Sequence, residues 1–429
     1  MLKNYFNIAK YELMDINRSL TGEGVRKTLQ IIKRELPELK IKYFKSGTNV
    51  FDWKIPPEWN IKDAYIEDSY GNRLIDFKEN NLHVIGYSIP INKNLRKDEL
   101  LKNLYYLKDQ PSAIPYITSY YKKRWGFCIT YNQFKDIKKK YKKTDYFKIL
   151  IDSNLKSNGL CNYGEIVLKG NSKKEILIST YICHPSMANN ELSGPIVSMS
   201  LIKYFQSRKL NKTIRFIFIP ETIGSIAYLS KHLIYLKKNV LAGYNLTCIG
   251  DERQHSCMKS KYENSPSDEA VIDAYEKLNI KNYKIYPFSK RGSDERQYNS
   301  PGIDLNITSI FRTKYHEYPE YHTSLDKFDS LVTEKGCHGG FLVAKESIKI
   351  LQKRLYPKNL IICEPHMSKR KMYADLSIKK NNYVDYIMDF LQFADGNNSL
   401  EKISKLINLN LSKVKKINSL LIKKGIIEN

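Results

Sequence analysis

Between residues 164 and 355, four apolar runs alternate with four stretches of helical spacing. The runs cover residues 176–182, 214–219, 244–249 and 303–307, and the helical stretches cover 196–205, 223–236, 268–278 and 339–351. A strand that is apolar along its whole length must be covered on both faces. The alternation therefore predicts an α/β fold, a mostly parallel-centred sheet wrapped by helices. Ligands of such sheets gather beyond the carboxyl ends of the strands, so the chemistry is expected in the segments that leave those ends.

Three segments end predicted strands with polar groups: Cys183-His184, Pro220-Glu221-Thr222 and Gly250-Asp251-Glu252. A fourth, Tyr321-His322-Thr323-Ser324, follows the last strand at a distance. Zinc accepts imidazole nitrogen and carboxylate oxygen in a tetrahedral site. His184, Asp251 and His322 are thus expected to hold one zinc ion per chain with a fourth position open. Glu221 ends a strongly apolar strand and is the expected general base. Each residue also has a plain structural reading. His184 could be a turn residue before Pro185, Glu221 a cap for the helix near Ile223, Asp251 a partner of Arg253, and His322 part of an aromatic surface loop with Tyr315, Tyr318 and Tyr321. Their placement along successive elements of one sheet favours the site.

The flanking segments suggest two further units. Residues 43–100 carry short strand-like runs separated by turns at Pro56-Pro57 and Tyr70-Gly71-Asn72, a small inserted β domain. Residues 375–429 give short helical patterns around Asn408-Leu409-Asn410, in the manner of a helix-turn-helix or winged helix. The α/β domain then takes residues 1–42 and 101–360. The tail has no Arg and several acids, which argues against nucleic acid and for a structural or homo-oligomeric role. The formal charge of +26 is mostly scattered Lys, for example Lys138, Lys139, Lys140, Lys142 and Lys143, rather than an Arg stripe. Seven cysteines without a C-x-x-C pair fit a reducing compartment, and no leader or membrane-length apolar run is visible, so the expected location is cytoplasmic.

The order His184, N-E-L-S-G at Asn190 to Gly194, Glu221-Thr222-Ile223-Gly224, Asp251 and Tyr321-His322-Thr323 resembles the zinc aminopeptidase family. The stretches MDINRSLTGEGVRKTL, NNLHVIGYSIPI, IPYITSYYKKRWGFC and YPEYHTSLD resemble, more closely, the aminopeptidase-like proteins of bacterial surface-polysaccharide biosynthesis, with an inserted β domain and a winged-helix tail. The resemblance places His184, Asp251 and His322 on metal-ligand positions and Glu221 on the catalytic acid/base position. It also marks two departures. Asn190 stands where a bridging carboxylate is usual, and Thr222 where the second metal's Glu is usual. An amide oxygen is a poor bridge between two dications, so one ion is expected, with Asn190 a further candidate ligand.

A charged segment, Lys290 to Tyr298, precedes the last run. Arg291 and Arg296 could grip a carboxylate or phosphate, Glu295 stands where the family usually has His, and Arg124 is a candidate wall residue. The reading that follows is a metal-dependent amide-bond hydrolase acting on a small-molecule amide or peptide. The resemblance implies an amino-acylated or N-acylated sugar intermediate of polysaccharide biosynthesis as one substrate. The alternatives are a non-catalytic binding or scaffold protein with a degenerate metal site, and nucleic-acid binding through the tail.

Overall fold

The computed structural model describes residues 1–372 and 382–429. The expected start of the tail domain at residue 375 lies outside the described residues. The main sheet has eight strands: β1 (Lys40–Lys45), β2 (Leu160–Leu168), β3 (Ser172–Tyr181), β4 (Lys212–Ile219), β5 (Val240–Leu246), β6 (His255–Met258), β7 (Tyr283–Tyr286) and β8 (Ile307–Phe311). Their spatial order is β1-β2-β4-β3-β5-β8-β6-β7. The centre, β4-β3-β5-β8, is parallel throughout, while β2 pairs antiparallel with both β4 and β1, and β6 pairs antiparallel with β8.

Four helices follow the strands, α1 (Ser193–Phe205), α2 (Ile223–Asn239), α3 (Pro266–Lys277) and α4 (Glu334–Lys353). Side chains alternate across β3: Ile176 and Ile178 join the core under α1, α3 and α4, whereas Leu177 and Tyr181 join the core under α2. Each such side chain, fully buried, contributes about 1.5–3 kcal/mol of transfer free energy. This two-sided burial is what the unbroken apolar runs required. Helix α1 lies hard against the strand ends, since a Cβ on Gly194 would stand 2.2 Å from Thr180 Oγ1 and 2.3 Å from the Leu246 carbonyl oxygen.

The last strand differs from expectation. Residues 303–306 stay outside the sheet, with Asp304 at φ 49° and Asn306 at φ 56°, and β8 starts only at Ile307. Two left-handed residues cannot sit in a pleated strand, however apolar their neighbours. Similarly, β5 ends at Leu246, so Thr247 to Asp251 leave the sheet as a loop.

The smaller domain is a four-stranded antiparallel sheet in the order Arg73–Asp76, Glu58–Asp68, Tyr146–Lys156, Ile91–Arg96. Its long central strand, Tyr146–Lys156, comes from beyond residue 100. Pairing between positions as far apart as Glu58 and Lys156 leaves no local trace in the chain. The domain has its own core around Ile66, Phe127 and Phe147. The tail packs Asn382–Phe393, Leu400–Leu406 and Leu411–Lys423 around Phe390, Ile403, Val414 and Leu421, and closes with residues 358–359 paired to 427–428. No helix among the described residues is long and apolar enough to cross a membrane.

Candidate active site at the strand ends

Because β3 and β4 are parallel, their carboxyl ends lie side by side. The Ile182 N–H extends the ladder to the Ile219 carbonyl at 3.1 Å. His184 leaves one end and Glu221 the other, which brings His184 Nε2 to 3.4 Å from Glu221 Oε2. The other imidazole nitrogen, Nδ1, lies 2.8 Å from Glu191 Oε2. Glu191 sits in the π-helical turn Ala188–Leu192 that leads into α1. Behind it the Arg18 guanidinium donates to the His184 carbonyl at 2.9 Å and stands 3.7 Å from Glu191 Oε1. Neither the Arg18 nor the Glu191 side chain is exposed.

Burial works against a charge on His184. The Glu191 hydrogen bond and the charges of Glu191 and Glu221 outweigh it, so the imidazole is more basic than usual. Burial also pushes the Glu221 carboxyl up, against the opposing pull of His184 and of the Ser293 hydroxyl, which donates to Glu221 Oε1 at 2.7 Å. A carboxyl raised in this way suits proton transfer near neutrality.

His322 reaches the same corner from the segment after β8. Its ring centroid is 5.5 Å from that of His184, stacked 3.9 Å from Tyr321 and edge-on to Tyr116 at 5.2 Å. The Tyr116 N–H donates to its carbonyl at 2.9 Å. Burial, helped by the charges of His184 and His316, lowers the His322 pKa well below its ordinary value. The imidazole is therefore neutral, with a lone pair to offer. Its Nε2 is buried with no hydrogen-bond partner, and so is Oδ1 of Asn190, whose amide Nδ2 donates to the Tyr181 hydroxyl at 2.9 Å.

Asp251 does not join them. It is fully buried, and its two oxygens accept from the Arg253 N–H at 2.9 Å, the Thr313 N–H at 2.9 Å, the Thr313 hydroxyl at 2.7 Å and the Asn189 amide at 3.1 Å. Among the described residues, the group of three His, Cys, Asp or Glu donors within 4.8 Å of one another is Cys183, His184 and Glu191. The expected set of His184, Asp251 and His322 is thus not assembled. The physical reason is the early end of β5: Thr247, not Asp251, stands at the strand exit, where its hydroxyl donates to the Asn190 carbonyl at 3.0 Å and meets the Tyr181 hydroxyl. The Cys183, His184 and Glu191 group already has a buried cation in Arg18, and burial holds the Cys183 thiol well above its ordinary pKa. That group is an orienting network behind His184.

The donors present fit one zinc ion in kind. Two imidazoles and the unpartnered amide oxygen of Asn190 offer nitrogen and oxygen lone pairs, while the donor atoms of His184, Glu221 and His322 do not all lie within 4.8 Å of one another. They do not fit two ions, because no carboxylate stands at Asn190 to bridge them.

The charged segment divides. Glu295 is fully buried and accepts from the N–H groups of Gly292 and Ser293, the hydroxyls of Tyr315 and Ser309 and the Asn245 amide, so it braces the loop and has no lone pair for substrate. Arg296 donates to the Thr222 hydroxyl at 2.9 Å and flanks Glu221. Arg291 lies over the Phe288 ring, 5.0 Å from its centroid. Arg124 donates to the Thr118 carbonyl at 2.9 Å and holds its own loop. Thr222 adopts φ 61°, a strained conformation for a β-branched residue, and its N–H is held by Asp294 Oδ1 at 2.7 Å. Burial, then the Glu221 charge, pushes Asp294 up to about 7.

Residues 6–354 match a family model described as a domain of unknown function (DUF4910), and residues 354–429 match a winged helix-turn-helix model. A Clostridium acetobutylicum protein named for polysaccharide biosynthesis and an aminopeptidase-like domain is 39% identical over 94% of this chain and 91% of its own length. The chain belongs to this family. A crystal structure from C. acetobutylicum, named as a peptidase, superposes with a TM-score of 0.79 at 37% identity, covering 100% of this chain and 96% of the other. The Bacillus subtilis zinc aminopeptidase BSAP matches with a TM-score of 0.60 at 14% identity, over 81% of this chain and 93% of its own, a likeness of fold. In this family member Tyr181 and Thr247 join the site without any motif of their own, whereas Arg18 and Tyr116 lie in the stretches MDINRSLTGEGVRKTL and IPYITSYYKKRWGFC, which assign them no role. Glu191 likewise had a trace in the sequence, inside N-E-L-S-G.

Proposed function

We propose that the protein hydrolyses an amide bond at the corner formed by His184, Glu221 and His322. The observation that carries this reading is the pairing of His184 Nε2 with Glu221 Oε2 beside the unpartnered nitrogen of His322. His184 and His322 would hold a single zinc ion, with Asn190 Oδ1 a third donor and Asp251 left to its structural role. Bound there, zinc would supply Lewis acidity toward the substrate carbonyl. Glu221 takes a proton from the attacking water and returns it to the leaving nitrogen. Glu191 fixes the tautomer and direction of His184 from behind, as carboxylates commonly do for ligating imidazoles. Tyr116 and Tyr321 exclude bulk water from His322. Arg296 sets positive charge next to Glu221, which suits an anionic substrate.

The polysaccharide-biosynthesis name of the relative supports an amino-acylated or N-acylated sugar intermediate as substrate, and the peptidase name of the similar structure supports a short peptide. A cytoplasmic site of action and self-association through the tail belong to the same reading. Replacing Glu221 by Gln should lower amide turnover by about 10²–10⁴-fold, the usual share of a general acid/base. Elemental analysis after zinc supplementation should find one ion per chain in both proteins, and His322→Ala should lose it. Undiminished turnover in the Glu221→Gln protein would remove the mechanism. A second reading, a binding protein with a degenerate site, is favoured by Asn190 in the turn before α1 and Thr247 at the exit of β5, and zinc far below one per chain together with no chelator-sensitive turnover would select it.

A further inference from the structure

Glu221 is carried on an unusual piece of backbone. The Ile223 N–H donates to the Glu221 carbonyl at 2.8 Å, and Thr222 between them has φ 61° and ψ −75°. That bond and those angles make the form of γ-turn that is rare and strained, and a β-branched residue at positive φ adds to the strain. The chain passes from β4 to α2 through Pro220, Glu221 and Thr222 alone. It folds back so closely that a Cβ on Gly224 would stand 2.8 Å from Ile219 Cγ1 and 2.9 Å from Pro220 Cδ. Relaxing Thr222 would rotate the peptide that joins it to Glu221 and redirect the carboxyl, which now faces His184 Nε2 at 3.4 Å.

A strained conformation persists only where its surroundings hold it. Three of the groups that hold this one come from a single segment, Ser293 to Arg296. The Ser293 hydroxyl donates to Glu221 Oε1 at 2.7 Å, and Arg296 donates to the Thr222 hydroxyl at 2.9 Å. Asp294 grips the backbone itself. Its Oδ1 accepts the Thr222 N–H at 2.7 Å and stands 2.8 Å from the Ser225 hydroxyl, which also lies 2.9 Å from the Thr222 carbonyl. Asp294 is fully buried and its Oδ2 has no hydrogen-bond partner, so the contacts it makes go to the turn and to α2. The segment is fixed in its turn to the sheet. The Tyr298 hydroxyl lies 2.8 Å from Ser179 Oγ of β3, and the Asn299 side chain bonds the carbonyl and the N–H of Ile307 in β8 at 2.8 and 3.0 Å. Asp294 thus ties the turn at the end of β4 to two other strands.

The aim of a general base decides its worth, since it acts only within hydrogen-bond reach and a displacement of about 1 Å can cost on the order of 10²-fold in rate. We propose that Asp294 is a positioning residue for Glu221: it pins the strained turn at Thr222, so that the carboxyl stays directed at His184 and the reacting corner. The effect on turnover rests on the amide-hydrolase reading; the pinning of the turn does not. Glycine adopts positive φ without strain, so a glycine at position 222 removes the need for the pin. That separates positioning from a general contribution to stability.

The test compares the full-length parent with Asp294→Ala, Asp294→Asn, which keeps an acceptor for the Thr222 N–H, and the double variant Thr222→Gly/Asp294→Ala. Amide hydrogen exchange is followed residue by residue by mass spectrometry. In Asp294→Ala, exchange at Thr222 and Ile223 should quicken by about tenfold, as for the loss of one buried hydrogen bond, with the rest of the sheet as in the parent. Asp294→Asn should return both amides toward the parent, and the double variant should return Ile223. Turnover is read on aminoacyl p-nitroanilides and on N-acetylglucosamine. There Asp294→Ala should lower kcat by about 10²-fold with KM within about twofold, and both other variants should recover most of the loss. Parent-like exchange at both amides in Asp294→Ala, faster exchange across the whole sheet, or no recovery in either other variant overturns the proposal. Where Asp294→Ala fails to fold, the double variant decides: folded, it supports the pin, and unfolded, it overturns it. Exchange as expected in a protein whose parent turns over neither probe keeps the pin and discards the hydrolase reading for these amides. Turnover undiminished in Asp294→Ala keeps the hydrolase and overturns the positioning role.

Discussion

At the scale of single residues the site is organised by charges buried behind it. Arg18 and Glu191 are both removed from water, and their mutual attraction is what makes the burial of either tolerable. Arg18 also donates from Nη1 to the Leu13 carbonyl, which ties the N-terminal helical segment to the strand end that carries His184. Arg18→Met should destabilise the fold by about 3–5 kcal/mol, since it strands a buried carboxylate. Adding Glu191→Gln should restore part of that loss, giving a coupling of about 0.5–3 kcal/mol in a double-mutant cycle followed by urea unfolding. Two losses that simply add would show that the residues do not act as a pair. Glu295 teaches a related lesson. A charge in a charged loop looks available for substrate, yet five donors converge on it and leave it wholly occupied.

At the scale of elements, the smaller domain is fastened to the larger one through Glu58. This carboxylate starts the strand Glu58–Asp68 and accepts two bonds from Arg26, at 2.7 and 2.9 Å, from the helix Glu23–Glu35. It also accepts the Leu160 N–H of β2 at 2.8 Å and the Asn60 amide at 3.0 Å. Burial pushes Glu58 up, but Arg26 and the two amide donors outweigh it and hold its pKa at about 2. In the unfolded chain a glutamate titrates near ~4.3. The folded value is the lower one, so the stabilisation is complete above the unfolded pKa and is lost as pH falls through the folded pKa. Glu58→Gln should therefore cost about 1–3 kcal/mol at pH 7, and its difference from the parent should shrink below about pH 4.5. Urea midpoints of the two proteins at pH 7 and pH 3.5 check this, and a constant difference would contradict it.

At the scale of the whole molecule, the tail is a separate body resting on the α/β domain. Its core, from Met367 to Ile427, shares no residue with the core under α1 and α4. Lys402 links the two bodies, 2.6 Å from Glu269 and 3.2 Å from the Asn264 carbonyl, as does the Leu400 N–H on the Leu355 carbonyl at 3.1 Å. Contacts of this partly exposed kind contribute about 0–1 kcal/mol each. A chain stopped after Pro357 should therefore keep the fold of the α/β domain and the proposed amide turnover. Loss of its cooperative thermal transition would show that the tail is needed for folding.

How much was legible follows the range of the interactions. Two-sided burial writes itself into composition, so the apolar runs at 176–182 and 214–219 announced parallel strands, and their ends announced His184 and Glu221. The winged helix was legible for the same reason, through spacing within Leu411–Lys423 and the Asn408-Leu409-Asn410 turn. What lay beyond reach depended on contacts between distant segments. The strand Tyr146–Lys156 pairs with Glu58–Asp68, and nothing local to either announces it. The expected set does not meet at Asp251 because a strand's last residue is set by its neighbours: β5 stops at Leu246, Thr247 takes the exit, and Asp251 is carried off to Thr313. Sequence alone determined the layers and the two strand ends from which His184 and Glu221 leave, since hydrophobic periodicity is a local property. Only the tertiary structure decided which side chains meet there and how Arg18 and Glu191 support them, because hydrogen bonds and buried charges are satisfied in space and not along the chain.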